Sequence, residues 1–297
     1  MSSRALTSIG QVLVVIEKPG LGRLAHEQLE LMAQFGAGSP RWLADGEALE
    51  VDGFEGIDQA AAALRAQNLD AVVVPKANRR KRVLLADMDS TMIEQECIDE
   101  LGAVAGLGEK ISSITVRAMR GEVDFEGALK ERVSLLKGLD EAIIAKLLRE
   151  RISYMPGGKV LLATMKAHGA YCALVSGGFT AFTEHVAKAL GFDENRANTL
   201  LVSGGKLTGE VALPILGKDA KVESLHRVAA AQGVTAADVL AVGDGANDIP
   251  MLQAAGMGVA LHAKPKVQEL AQFVINHGDL TALLYLQGYT RDEFVTA

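Results

Sequence analysis

The stretch VLLADMDSTMIEQE, Val83 to Glu96, decides the fold of this chain. Four apolar residues run straight into two aspartates, Asp87 and Asp89, separated by one position. Two later stretches repeat the pattern. AYCALVSGG (Ala170 to Gly178) and VLAVGDGANDIPML (Val239 to Leu252) are apolar runs that end in small or acidic residues and lead into helical spacing. Continuous apolar strands followed by helices predict an α/β fold with a parallel sheet covered on both faces. In open sheets of this kind ligands bind beyond the carboxyl ends of the strands. Asp87, Asp89, Ser176, Asp244 and Asp248 are therefore expected on one rim.

Between the first two of these strands, Glu96 to Arg151 is far longer than a tight crossover needs. CIDELGAVAG, KISSITVRAMRG, DFEGALKERVSLLKG and DEAIIAKLLRE each carry apolar positions three and four apart, the spacing of amphipathic helices. They predict a helical cap over residues 94–152, lying above the rim. Upstream, residues 1–80 suggest a separate small α/β unit. In it QVLVVIEKPG is a strand stopped by Pro-Gly, Leu21 to Gly36 a helix, and GIDQAAAALRAQNLDAVVVPK a helix followed by a strand. The basic run KANRRKR, Lys76 to Arg82, is expected to be a solvated connector, which leaves residues 81–297 to the catalytic unit.

Composition narrows the function classes. The 297 residues are 49% hydrophobic and 23% charged, as in ordinary soluble globular proteins of one large or two modest domains. A net charge of -7 leaves no basic surplus to neutralise phosphate backbones or anionic lipid, which argues against general nucleic-acid or membrane partners. No apolar run approaches the roughly 20 residues of a membrane span, and no signal-peptide pattern is present, so a cytoplasmic protein is expected. Cys97 and Cys172 lack metal-ligand spacing and are expected as packed thiols, not a disulfide.

Gathering Asp87, Asp89, Asp244 and Asp248 is costly, because like charges raise one another's pKa. A divalent cation relieves that repulsion, and Mg²⁺ suits best as a hard ion that prefers carboxylate oxygens, water and phosphate. Ser176 followed by Gly177 and Gly178 offers a hydroxyl and backbone N–H groups at a strand-to-helix junction, where an anion is favoured. Lys221 in GKDAKVESL can add a positive charge, with Lys218 one turn earlier as its alternative. These parts suit phosphoryl transfer, which needs chiefly positioning and charge neutralisation. One aspartate can attack phosphorus and form an aspartyl-phosphate; the other can protonate the leaving oxygen and then deprotonate water.

The ordered set DMDST, VSGG, Lys221 and GDGANDIPML, spread over Val83 to Phe273, resembles the haloacid dehalogenase (HAD) superfamily of aspartate-nucleophile phosphatases. The resemblance implies a Rossmann-like core with a helical cap insertion. It also implies Asp87 as nucleophile, Asp89 as proton donor and acceptor, and Ser176 and Lys221 as phosphate holders. Mg²⁺ would be held by Asp87, the backbone carbonyl of Asp89 and Asp244, with Asp248 supporting them.

DMDSTMIEQECIDELG, GEVDFEGALKERVSLLKGL and GKLTGEV are similar to segments of superfamily members that hydrolyse O-phospho-L-serine in the last step of serine biosynthesis. That similarity implies phosphoserine as the small-molecule substrate, with Glu96 meeting its ammonium and Arg132 its carboxylate. A zwitterion suits one anion and one planar, bidentate cation. It further implies that Met119 and Phe125 shield the site from water and that Gly177 and Asn247 line the phosphate end. The first 80 residues are similar to the ACT-like extensions of longer relatives, which leaves serine sensing, association as a homodimer and stabilisation open as their role. Two other functions fit the same residues: phosphotransfer to homoserine or hydrolysis of another small phosphomonoester, and sensing of a phospho-ligand without turnover. A sensor has no need of a nucleophile and an acid/base together.

Overall fold

The structure, a computed structural model, describes residues 10–120 and 122–296, without the side chain of Met119. Its first part forms β1 (Gln11–Ile16), α1 (His26–Gln34), β2 (Arg41–Ala44), β3 (Ala48–Asp52), α2 (Ile57–Arg65) and β4 (Asp70–Pro75). The four strands make an antiparallel sheet in the order β2-β3-β1-β4, consistent with an ACT-like arrangement. The run QVLVVI lacks polar alternation because both faces of this sheet are covered. Leu13, Val15, Leu49, Val51 and Ala71 pack in one cluster with Met32 of α1 and with Ile57, Ala60 and Leu64 of α2. Val12, Val14, Ile16, Val72 and Val74 face the other way and join the large core built by the rest of the chain, which includes Leu283 to Leu286.

Three details depart from the sequence-based expectation. The first helix begins at His26, not Leu21, because Gly20 and Gly22 take positive φ and Arg23 turns back to bond the buried Glu17 at 3.0 Å. The strands β2 and β3 are too short for periodicity to reveal. The basic run is not a free connector. Arg79 is bound to Glu50 at 2.8 Å and to the carbonyls of Tyr285 and Leu286, and Lys81 donates to the carbonyls of Asn78 and Ala237.

The second part opens with β5 (Val83–Ala86) and the cap helices α3 (Cys97–Val104), α4 (Gly108–Met119), α5 (Phe125–Ser134) and α6 (Ala142–Glu150). There follow α7 (Gly158–Ala167), β6 (Tyr171–Phe179), α8 (Thr180–Leu190), β7 (Glu194–Asn198), β8 (Leu200–Ser203), β9 (Lys206–Val211) and α9 (Lys218–Ala231). The chain closes with β10 (Val239–Gly243), α10 (Ile249–Ala254), β11 (Met257–Leu261), α11 (Pro265–Leu270), β12 (Phe273–Ile275) and α12 (Ala282–Leu286). Six strands form a parallel sheet in the order β12-β11-β10-β5-β6-β7. After β5 the chain builds toward β7 and then crosses back to β10. The carboxyl end of β5 therefore lies where neighbouring connections part, the usual place for a ligand crevice.

The four cap helices lie where helical spacing expects them. They leave and rejoin the sheet through two facing segments, a hinge in which Glu94 N–H donates to Ser153 O and Met155 N–H to Met92 O, both at 3.0 Å. The unanticipated β8-β9 hairpin braces the cap, since Gly138 N–H donates to Leu207 O at 2.8 Å and Leu207 N–H donates to Leu139 O at 2.9 Å. Cys97 and Cys172 are both buried and free. Among the described residues no helix is long and apolar enough to cross a membrane.

Candidate active site

Asp87 extends β5 by one residue, its N–H donating to Val242 O of β10 at 3.0 Å, and its side chain is buried. Lys221 enters from the first turn of α9 and is only 2% exposed. Its Nζ lies 2.7 Å from Asp87 Oδ1 and 2.5 Å from Asp248 Oδ1. Lys218 starts the same helix but is exposed, so Lys221 is the lysine that the fold brings to the aspartates. The other oxygen of Asp248 accepts from Gly245 N–H at 3.0 Å, which uses both oxygens of that fully buried carboxylate. Asp244, at the end of β10, accepts from the Thr91 hydroxyl at 3.4 Å. Oxygens of Asp87, Asp244 and Asp248 all lie within 4.8 Å of one another. The packing behind them is tight: a Cβ on Gly243 would stand 2.4 Å from Asp248 Cγ.

This group carries three buried carboxylates against one ammonium, a deficit that one divalent cation would balance. The carboxyls register the strain. Burial, with the Asp248 charge added, pushes Asp87 well above the usual carboxylate range and Asp244 up to about 6. Burial alone would lower the Lys221 ammonium, but Asp248 and Asp87 outweigh it and hold the pKa raised. The all-oxygen donor set fits a hard cation. Asp87 and Asp244 each engage one oxygen, with Lys221 and Thr91, and keep the other for such an ion, whereas both oxygens of Asp248 are committed to Lys221 and Gly245.

Above the aspartates, Asp89 accepts from Cys97 N–H at the start of α3 at 3.2 Å, which ties it to the cap. Burial pushes its carboxyl up to about 7, and the nearby Glu96 adds to the rise. Ser176 is buried in the C-terminal half of β6 and accepts from Gly178 N–H at 2.9 Å. A Cβ on Gly178 would meet both Asp89 Oδ2 and Ser176 Oγ, so these two groups share one small space. Phe125, at the start of α5, rests on Gly177 and Gly217, with room of only 3.2 Å between its ring and a Cβ placed on Gly177. The cap thus meets the rim at glycine.

Glu96 is exposed and accepts from the Ser90 hydroxyl at 2.9 Å. Arg132 is half-buried, and its guanidinium is lowered by burial while Asp99, Glu96 and Asp89 pull the other way. Asp99 is exposed on α3, close enough for its charge to act on Arg132. Asn247 is half-buried in the turn between Asp244 and Asp248, with its amide oxygen against Gly245. Met119 ends α4, and its side chain lies outside the described residues.

Two contributors escape motif reasoning. Thr91 bonds Asp244 from the DMDST loop, where its position next to the acids was the available signal. Asn198 donates to Gly177 O at 2.8 Å and accepts from Leu216 N–H at 2.7 Å, fastening the loop before α9 to VSGG. Nothing local marks it, because its partners lie in two distant segments.

Residues 84–253 match the family described as haloacid dehalogenase-like hydrolase. The chain belongs to the haloacid dehalogenase-like hydrolases. This hydrolase is 44% identical over 228 residues to the phosphoserine phosphatase of Streptomyces coelicolor, a match covering 76% of this chain and 55% of that protein. With the phosphoserine phosphatase of Haemophilus influenzae it shares 45% identity over 204 residues, 69% of this chain and 65% of that protein. The chain thus spans less than two thirds of the length of these curated relatives. The crystal structure of a probable phosphoserine phosphatase from Vibrio cholerae, in unliganded form, superposes with a TM-score of 0.79 at 33% identity. That match covers 94% of this hydrolase and 86% of the other chain, so it takes in the N-terminal sheet as well as the sheet that carries the aspartates.

Proposed function

We propose that this protein hydrolyses O-phospho-L-serine to serine and inorganic phosphate in a Mg²⁺-dependent reaction. The observation that carries the proposal is one juxtaposition. Buried Asp87, Lys221, Asp244 and Asp248 lie together under a cap that brings Glu96 and Arg132 near Asp89. The relatives named phosphoserine phosphatase support the choice of ester.

In the proposed reaction an Asp87 oxygen attacks phosphorus as the bond to the serine oxygen breaks, leaving an aspartyl-phosphate. Asp89 gives its proton to the departing serine oxygen. A carboxyl pushed up to about 7 keeps that proton available near neutral pH. Asp89 then takes a proton from water as the water oxygen attacks phosphorus, which releases phosphate and restores Asp87. Lys221 and Ser176, with the backbone around Gly177, hold the phosphoryl oxygens. Glu96 meets the substrate ammonium, Arg132 its carboxylate, and Phe125 excludes water at the rim. Mg²⁺ held by Asp87, Asp244 and the Asp89 carbonyl would neutralise phosphoryl charge when bound. Asp248, its oxygens occupied by Lys221 and Gly245, orients the lysine and supports the metal acids.

The test is phosphate release from O-phospho-L-serine with Mg²⁺, beside EDTA, an Asp87→Asn control and a panel of other phosphomonoesters. Mg²⁺-dependent release that prefers phosphoserine and vanishes in Asp87→Asn is the expected result. Turnover of other esters alone would keep the chemistry and overturn the substrate. Near-normal release by Asp87→Asn would overturn the covalent route.

A further inference from the structure

The N-terminal sheet touches the catalytic part at a buried carboxylate that the phosphatase chemistry does not use. Asp70, the first residue of β4, is 3% exposed. Its two oxygens accept from three consecutive backbone N–H groups just after β12: Asn276 at 2.7 Å, His277 at 3.0 Å and Gly278 at 2.7 Å. An anion that collects three successive amides fixes the conformation of the loop carrying them.

That loop continues into two places that matter for the site. On one side Leu280 N–H donates to Pro156 O at 3.1 Å. Pro156 adjoins the cap hinge, where Met155 N–H bonds Met92 O and Met92 N–H bonds Met88 O, the residue between Asp87 and Asp89. The seating there is close, since a Cβ on Gly157 would stand 2.7 Å from Thr281 N. On the other side Gly278 O accepts from His262 Nε2 at 2.8 Å. His262 sits at φ +45° in the turn after β11, and Lys264 in that turn reaches the carbonyl of Asp244 with its N–H at 3.4 Å. One loop therefore supports both the returning arm of the cap and the turn behind a metal-side aspartate, and the N-terminal sheet grips that loop through one carboxylate.

We infer that Asp70 is a positioning residue: through the 276–280 loop it makes the N-terminal sheet the clamp that sets the cap hinge and the Asp244 turn. The N-terminal sheet is then a working part of the catalytic unit, and anything that shifts β4 relative to β12 alters turnover at a distance.

The inference rests on the proposed hydrolysis only for its kinetic readout. The experiment uses the full chain with Asp70→Asn, Asp70→Ala and His262→Asn, beside Glu50→Gln, which weakens the separate contact of the N-terminal sheet with Arg79 in the segment between β4 and β5. His262→Asn keeps a residue that tolerates positive φ while giving up the reach to Gly278. Three quantities are read: amide hydrogen exchange, Mg²⁺ binding by calorimetry, and kcat with KM for phosphoserine. Asp70→Asn is expected to speed exchange about tenfold not only at 276–280 but also at 153–156 and 262–264. It should lower kcat about five- to tenfold with KM within about twofold. His262→Asn should weaken Mg²⁺ binding and leave exchange at 153–156 as in the wild type. Glu50→Gln should lower thermal stability with all three readouts unchanged.

Exchange changes confined to 276–278 with unchanged kcat would overturn the inference, as would equal losses of kcat in Asp70→Asn and Glu50→Gln. If Asp70→Ala fails to fold, Asp70→Asn, which is isosteric, carries the test. If the wild-type protein does not turn over phosphoserine, the substrate proposal fails, while exchange and Mg²⁺ binding still decide the clamp.

Discussion

Replacing Lys221 with Met removes the ammonium that stands 2.7 Å from Asp87 and 2.5 Å from Asp248 and keeps a side chain of similar shape. Removing one partner of a buried ion pair costs about 3–5 kcal/mol, because a charge is left buried and uncompensated. Here two carboxylates lose the same partner, so the upper half of that range applies. At about 2–4 °C per kcal/mol for a domain of this size, the variant should melt roughly 8–20 °C below the wild type in metal-free buffer at about pH 8. The pH dependence has a definite sign. Without the ammonium the Asp87 carboxyl, already raised by burial and Asp248, rises further, so the folded variant binds protons more tightly than the unfolded chain. The deficit therefore narrows as pH falls toward about 5, where a proton takes the place of the lysine charge. Turnover should drop about 10²–10³-fold, the usual loss when a preorganised group that stabilises transition-state charge is removed. Thermal denaturation between about pH 5 and 8 and initial rates of phosphate release measure both effects. A melting point within about 2 °C of the wild type at the alkaline end, together with a tenth or more of wild-type turnover, would refute the view that Lys221 balances this cluster.

Three further outcomes are expected. Arg132→Ala should lower kcat/KM for phosphoserine about 100-fold, roughly 2.7 kcal/mol, and change hydrolysis of an aryl phosphate far less; equal losses on both would remove Arg132 from substrate recognition. Gly243→Ala should cost about 1–3 kcal/mol and most of the turnover, because its Cβ would stand 2.4 Å from Asp248 Cγ; unaltered chemical denaturation and rates would show that Asp248 has room to move. In metal-free protein the carboxyls of Asp89 and Asp244, pushed up to about 7 and about 6, favour the protonated folded state, so stability should fall as pH rises from about 4 to 7. Added Mg²⁺ should restore it, by about 2.7 kcal/mol at one hundred times its Kd, with a gain that grows with pH; thermal shifts that do not depend on pH would contradict the metal assignment.

Sequence legibility follows the physics of each element. Val83 to Ala86, the core of β6 and β10 are apolar without alternation because a parallel sheet buried on both faces requires it, and that signal survives in a single chain. The cap helices are legible for the same kind of reason, since each buries one stripe. The strands β2 and β3 are not, because four or five residues cannot establish a period. The run Lys76 to Arg82 misleads, because composition reports charge but not the partners, Glu50 and the carbonyls of Tyr285 and Leu286, that draw Arg79 inside.

Legible in the sequence are the groups at the strand ends: DMDST, VSGG and GDGAND place acids, a hydroxyl and turn glycines at fixed offsets along the chain, and local spacing is what a sequence records. Tertiary structure alone decided which of two lysines meets Asp87, that Asn198 fastens VSGG to the loop before α9, and that Asp70 grips the loop after β12. Those facts join residues tens to hundreds of positions apart, and such pairs exist only once the sheet has set the strand order and burial has removed water as the competing partner.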